Sequence, residues 1–204
     1  MDIITMSYGR DKRDPQIARA IDTATSHSFE RTPVIILAAA SNSGNRHRIA
    51  WPARADNVIC IHATDGNGMN SFSPNPQPGK DFATVGLRVL SYWPPHLQDK
   101  ETELTKHGQV WKDGTSFSTP IAAGIAAIIL EYCRPRLVKY ARKKESRDFE
   151  NDMDAIETLS SIAGMKQVFD MMSVPTLGYR CLIPWELLKW SESTMCELIL
   201  AELR

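Results

Sequence analysis

The run Pro33-Val34-Ile35-Ile36-Leu37-Ala38-Ala39-Ala40 is apolar without a break after its proline and stops at the polar turn Ser41-Asn42-Ser43-Gly44-Asn45. A strand with one wet face alternates apolar and polar residues. Seven apolar residues in succession leave no side for water and predict a strand covered on both faces. Upstream, Ile3-Ile4-Thr5-Met6 favours a short strand. Between the two, Ile17, Ala20, Ile21 and Ala24 fall on one helical face, with Asp14 as N-cap and Pro15 in the first turn, where a missing N–H is tolerated. Strand, helix, strand makes a βαβ unit with parallel strands in one sheet. Downstream, Val58 to Thr64 is another apolar strand, ended by Asp65-Gly66-Asn67-Gly68, and 81–86 and 88–93 offer shorter strand candidates. The expected fold class is α/β: a partial three-layer αβα domain whose mainly parallel sheet runs through 3–7, 34–40 and 58–63.

Past a polar interval at 96–108 comes the stretch 114–133, whose last part predicts a helix rich in small residues. Ala122, Ala123, Gly124, Ala126 and Ala127 give it no polar face, so it is expected to be central and close to its neighbours, with Pro120 tolerated in its opening turn. Composition changes at Arg134. Seven basic residues (Arg134, Arg136, Lys139, Arg142, Lys143, Lys144, Arg147) meet three acids (Glu145, Asp148, Glu150) up to residue 150, the pattern of a solvated helix end or linker. Helices are predicted around 154–162, 166–172 and 184–203, with a break at Gly178. In the last of them Leu187, Leu188, Met195, Leu198, Ile199 and Leu203 form a packing stripe. This divides the chain into 1–133 and a helical C-terminal extension, 134–204.

The 204 residues carry 24 Lys and Arg against 24 Asp and Glu, so no basic field exists to hold a phosphate backbone, and nucleic acid is not expected as a partner. The longest apolar runs, 34–40 and 121–130, are well short of the ~20 residues that span a bilayer. No membrane partner and no secretory segment are expected. Cys60, Cys133, Cys181 and Cys196 are widely spaced and lack CxxC pairing, which predicts reduced, buried thiols and a cytoplasmic location.

Gly114-Thr115-Ser116-Phe117-Ser118-Thr119-Pro120 carries the chemistry. A serine between a glycine turn and the first turn of a buried helix sits where free N–H groups and the positive end of the helix dipole converge, a place that stabilises developing negative charge. On this segment alone, an ordinary N-cap serine is the competing reading.

The segment GTSFSTPIAAG resembles the nucleophile segment of the subtilisin-like serine proteases (subtilases, peptidase family S8), G-T-S-x-[AS]-[ST]-P-x-x-A-G. VIILAAASNSGN resembles the strand and turn bearing the family's oxyanion-hole asparagine, IITMSYG the strand ending in its substrate-lining Ser-x-Gly, and WPARADNVICIHATD its Tyr-Pro-Ala loop and following strand. The four motifs stand in the family's order and span residues 2–132. The resemblance implies Ser116 as nucleophile, Asn42 as oxyanion donor and Ser7, Tyr8, Gly9, Ala40 and Ser41 as substrate-binding residues, with an extended polypeptide as substrate. It implies no cofactor. Family members often hold structural calcium, but no acidic cluster stands out here, so no metal is expected.

Two departures matter. The family's triad runs Asp, His, Ser along the chain, and neither D-[ST]-G nor H-G-[TS] occurs in this sequence. Its five histidines, His27, His47, His62, His96 and His107, all follow the Ser-x-Gly strand and are expected to be structural or exposed. Without a base the Ser116 hydroxyl is a poor nucleophile, so the chain alone is expected to be nearly inactive and to represent the C-terminal part of a peptidase domain. The alternative is a catalytically inactive protease-like remnant that offers its 7–9 edge to a peptide as a binding or interaction module. The second departure is Ser41, where the family usually has glycine.

Overall fold

The computed structural model describes residues 2–26, 32–44, 48–69, 81–97, 104–105, 107–143 and 149–204. In chain order it forms β1 (Ile3–Met6), α1 (Pro15–Thr25), β2 (Ile35–Ala39), β3 (Ile59–Thr64), β4 (Phe82–Val85), β5 (Val89–Tyr92), β6 (Gln109–Lys112), α2 (Thr115–Lys143), α3 (Phe149–Thr158), α4 (Ile162–Met171), β7 (Ser173–Thr176), β8 (Tyr179–Leu182), α5 (Trp185–Leu188) and α6 (Glu192–Leu203). Six strands make one sheet in the order β1-β2-β3-β4-β8-β7, parallel except for the β7–β8 pair. The hairpin β5–β6 stands apart as a two-stranded sheet.

The uninterrupted apolar run has the predicted cause. Every residue of β2 is buried, and successive side chains go to opposite sides of the sheet. Ile35 and Leu37 join Ile59, Ile61 and Phe82 in a core shared with Ala122, Ala126, Ile129 and Leu137 of α2. Ile36 and Ala38 join Cys60, Trp51 and α1's Ala18 and Ile21 in a second core on the other face. The fold is a three-layer α/β arrangement with a mostly parallel sheet. In α1 the buried positions are Ala18 and Ile21, while Ala20 of the predicted face is exposed, a rotation of the stripe by part of a turn. Asp14 caps that helix as expected, accepting from the N–H groups of Gln16 and Ile17 at 2.9 and 3.3 Å.

α2 corrects two expectations. It is unbroken over 29 residues, so the boundary drawn between 133 and 134 falls inside it, and residues from both sides share one core. By length and composition α2 could cross a membrane, but its Ala122, Ala126, Ile129 and Cys133 side is packed on the sheet. Pro120 is not in the opening turn. It is the sixth helical residue, where its missing N–H would have bonded the Ser116 carbonyl.

After α2 the chain is mostly helical but also supplies β7 and β8, which extend the main sheet through β8 pairing with β4. The single helix predicted over 184–203 is two: Ser191 accepts from the Thr194 N–H as the N-cap of α6, and the change of phase leaves Leu188 and Leu198 exposed while Leu187, Met195, Ile199, Leu200 and Leu203 are buried.

Candidate active site

Parallel strands all point their C-terminal ends the same way, and the loops leaving β1, β2 and β4 meet the start of α2 there. The turn before α2 is tied to the sheet in two steps. The Gly114 N–H donates to the Gly86 carbonyl at 2.7 Å, and the Gly86 N–H to the Thr64 carbonyl at 2.9 Å. A Cβ on Gly86 would lie 2.6 Å from the Ala63 Cβ and 2.9 Å from the Gly114 oxygen, so this approach requires glycine.

Asn42, just past β2, reaches across to this turn. Its Oδ1 accepts from both the N–H and the hydroxyl of Thr115, each at 2.9 Å. Two donors on one atom fix which end of the amide is oxygen, so the Nδ2 donors face away from Thr115. Nδ2 lies 3.1 Å from where a Cβ on Gly114 would sit, and Gly114 has φ of 149°. Glycine is thus required twice at 114, for its backbone and for the asparagine beside it. Ser116 is the second residue of α2, so its N–H precedes any intrahelical acceptor and adds to the positive end of the helix. Ser118 and Thr119 hydroxyls donate to the Thr115 carbonyl at 3.0 and 2.7 Å and brace the first turn.

Ser7 follows β1, and its hydroxyl donates to the Ser116 carbonyl at 2.9 Å. This is the carbonyl that Pro120 leaves without a helical donor. Tyr8 and Gly9 continue along the surface, both exposed, before Arg10 and Trp51 exchange backbone hydrogen bonds at 2.9 and 2.8 Å. Ser41 has φ of 136°, and its hydroxyl accepts from the Ser43 N–H at 3.2 Å.

The structure therefore brings Asn42, Ser116 and Ser7 together, with Tyr8, Gly9 and Ser41 on the adjoining surface. Ala40 is a correction. It is fully buried, its N–H donates to the Ile61 carbonyl at 3.0 Å and its carbonyl accepts from Ala50 at 2.7 Å, so its side chain has no surface to offer a ligand. Sequence reasoning missed Thr115 as the anchor of Asn42 and Gly86 as the tie to the sheet. Thr115 stood inside the quoted motif, whereas Gly86 carried no signal, because the contact that demands it comes from a residue 28 positions away.

Among the described residues, no histidine hydrogen-bonds Ser116. His62 is buried in β3 beside Asp81, and His96 and His107 are exposed. His27 and His47 lie outside the described residues.

Comparison with known proteins points to one family. The sequence model of the "Subtilase family" of S8 peptidases matches residues 1–149. The chain is 29% identical to Subtilisin DY of Bacillus licheniformis over 133 residues, 64% of this chain and 43% of that one. It is 31% identical over 154 residues to the serine protease AprX of Bacillus subtilis (strain 168), 64% of this chain and 34% of that one. The chain thus spans less than half the length of these relatives. The self-cleaved protease domain of PatA superposes with a TM-score of 0.61 at 20% identity, covering 96% of this chain and 62% of that one, a likeness of fold that extends past the family match into the C-terminal third. With its family match covering most of the sequence and the same motifs converging at the start of α2, this chain belongs to the subtilase family of serine peptidases.

Proposed function

We propose that Ser116 and Asn42 are the nucleophile and oxyanion donor of a serine endopeptidase site whose general base and its partner acid are not among the described residues of this chain. The observation that carries the reading is the locked Asn42 amide. With Oδ1 held by Thr115, the Nδ2 donors and the Ser116 N–H are available to one oxygen, the requirement for stabilising a tetrahedral intermediate. In such a site the Ser116 hydroxyl attacks the substrate carbonyl carbon, its proton goes to the base, and the carbonyl oxygen becomes the anion that the two donors meet. Family membership supports a polypeptide substrate. The exposed 7–9 strip supports an extended one, since a strand-like peptide can pair beside it. A reducing, cytoplasmic setting is proposed with it, and the four unpaired buried cysteines support that.

Fluorophosphonate labelling tests the assignment. In a subtilisin, loss of the triad histidine costs about 2 × 10⁶ in turnover, so the 204-residue chain is expected to label no better than its Ser116→Ala variant. Joined to a segment that carries D-[ST]-G and H-G-[TS] motifs, it is expected to label at Ser116, with Asn42→Ala costing about 10²–10³ in turnover, the loss reported for that donor in subtilisin. Labelling away from Ser116 in the completed site would refute the reading. Peptide binding with no labelling in any context would favour the inactive binding module instead.

A further inference from the structure

On the face of β3 turned away from α2, Cys60 and His62 stand two residues apart and so point the same way. Asp81, one residue before β4, arrives beside them because Ala83 of β4 pairs with His62. The His62 Nε2 lies 3.5 Å from the Cys60 Sγ and 3.1 Å from the Asp81 Oδ2, and all three ligand atoms fall within 4.8 Å of one another. The side chains are buried, with 3%, 0% and 4% of Cys60, His62 and Asp81 exposed, and the other ring nitrogen of His62, Nδ1, has no partner.

A thiol, an imidazole and a carboxylate confined together present sulfur, nitrogen and oxygen donors to a single point. This mixture suits zinc, whereas calcium and magnesium take oxygen alone. Zinc bonds of about 2.3 Å to sulfur and about 2.0–2.1 Å to nitrogen and oxygen, at tetrahedral angles, would separate S from N by about 3.6 Å and N from O by about 3.4 Å. The observed 3.5 and 3.1 Å are close to both, and the Cys60 sulfur and Asp81 oxygen, within 4.8 Å of each other, would draw in to about 3.6 Å as the metal binds. Charge also balances, because one dication meets one thiolate and one carboxylate. A cavity of about 360 Å³ is lined by Cys60 and Asp81 together with Asp56, Lys166 and Asp170, giving the ion a route in and room for a fourth ligand from solvent.

We propose that Cys60, His62 and Asp81 form a zinc site that clamps β3 to the start of β4. As the zinc–sulfur bond forms, the Cys60 thiol gives its proton to solvent. His62 binds through the Nε2 lone pair in the tautomer that carries its proton on Nδ1, and Asp81 supplies a carboxylate oxygen. The sequence alone led to the expectation of no metal, because Asp81 lies 19 residues beyond His62 and only the sheet register brings them together. The proposal does not depend on the peptidase reading, whose residues gather at the other ends of the strands.

The experiment uses the full chain, stripped by a chelator and titrated with Co²⁺ alone and then Zn²⁺ alone. The expected result is one Co²⁺ per chain with a sulfur-to-metal charge-transfer band and the visible absorption of a four-coordinate centre, displaced by equimolar Zn²⁺. The thermal midpoint should rise with Zn²⁺ concentration. Cys60→Ala, a small apolar exchange whose fold is checked by circular dichroism, should abolish the band and weaken Zn²⁺ by more than the about 10–100-fold that follows loss of an outer-shell partner. Cys181→Ala, which removes another buried thiol, should keep both. If Cys60→Ala does not fold, Asp81→Asn serves as the second variant and should weaken Zn²⁺ in the same way. Absence of stoichiometric Co²⁺ binding, or a charge-transfer band that survives Cys60→Ala, would overturn the site.

Discussion

Ser41 shows how one residue can carry both strain and its compensation. A φ of 136° is a region that side chains with a Cβ rarely enter, at a cost of order 1–3 kcal/mol. The hydroxyl recovers part of this by accepting from the Ser43 N–H and donating to the Ser43 Oγ at 3.1 Å. Glycine there would remove the strain but forfeit those hydrogen bonds and add unfolded-chain entropy of about 0.5–1 kcal/mol. The strain is the larger quantity. Ser41→Gly is therefore expected to raise stability by about 1 kcal/mol, read as a shift of the urea midpoint at unchanged slope. A lower midpoint would mean that the hydroxyl, not the backbone, dominates. The same φ gives a physical reason for the glycine that the family usually places at this position.

At the scale of elements, the start of α2 depends on β1. Pro120 removes the helical donor from the Ser116 carbonyl, and Ser7 replaces it from the end of a strand 109 residues away in sequence. The substitution of donors predicts a coupling. Ser7→Ala alone should cost about 0.5–1 kcal/mol, the net value of one hydrogen bond. In a Pro120→Ala background, where residue 120 regains its N–H, the same change should cost almost nothing. A double-mutant cycle by chemical denaturation measures this, and equal costs in the two backgrounds would show that Ser7 and Pro120 act independently. None of that linkage was legible in the sequence, where Pro120 looked harmless because the helix start could not be placed to the residue. What was legible had a strong local signature: the apolar runs of β2 and β3, the capped periodicity of α1, and the small-residue stretch of α2. The β7–β8 hairpin was not. Its strands have four residues each, too few to show a period of two, and Pro175 argues against a strand except at a sheet edge, where β7 lies. Its turn, Leu177-Gly178, has φ of 50° and 88°, and only the glycine announced it, as a break. The candidate site was legible because short motifs carry it, while Thr115, Gly86 and the zinc ligands depend on which strands become neighbours.

For the whole molecule, the core beneath α2 is continuous from β2 to the last helix, and its titratable members make the fold sensitive to alkali. Cys133 of α2 and Cys196 of α6 are both fully buried in that core. Burial pushes the Cys133 thiol from the ordinary 9.0 up to about 12, with nearby Cys196 adding to the effect and Arg136 opposing it. Burial and Glu192 push Cys196 up to about 11, again against Arg136. Both thiols therefore hold their protons in the folded chain over a range where the unfolded chain has released them. Since stability changes with pH as the protons bound unfolded minus those bound folded, the difference is negative above pH 9 and stability falls. The contribution is fully present below about pH 9 and is lost as pH rises through 11 towards 12. The expected outcome is a urea midpoint that is flat with respect to these two groups up to pH 9 and declines beyond it in chelator-treated protein. In the Cys133→Ala, Cys196→Ala double variant the midpoint starts lower, because buried volume is lost, but its decline between pH 9 and 11 should be shallower. An identical decline in both proteins would show that the alkaline loss comes from other groups and that these thiols ionise as readily folded as unfolded.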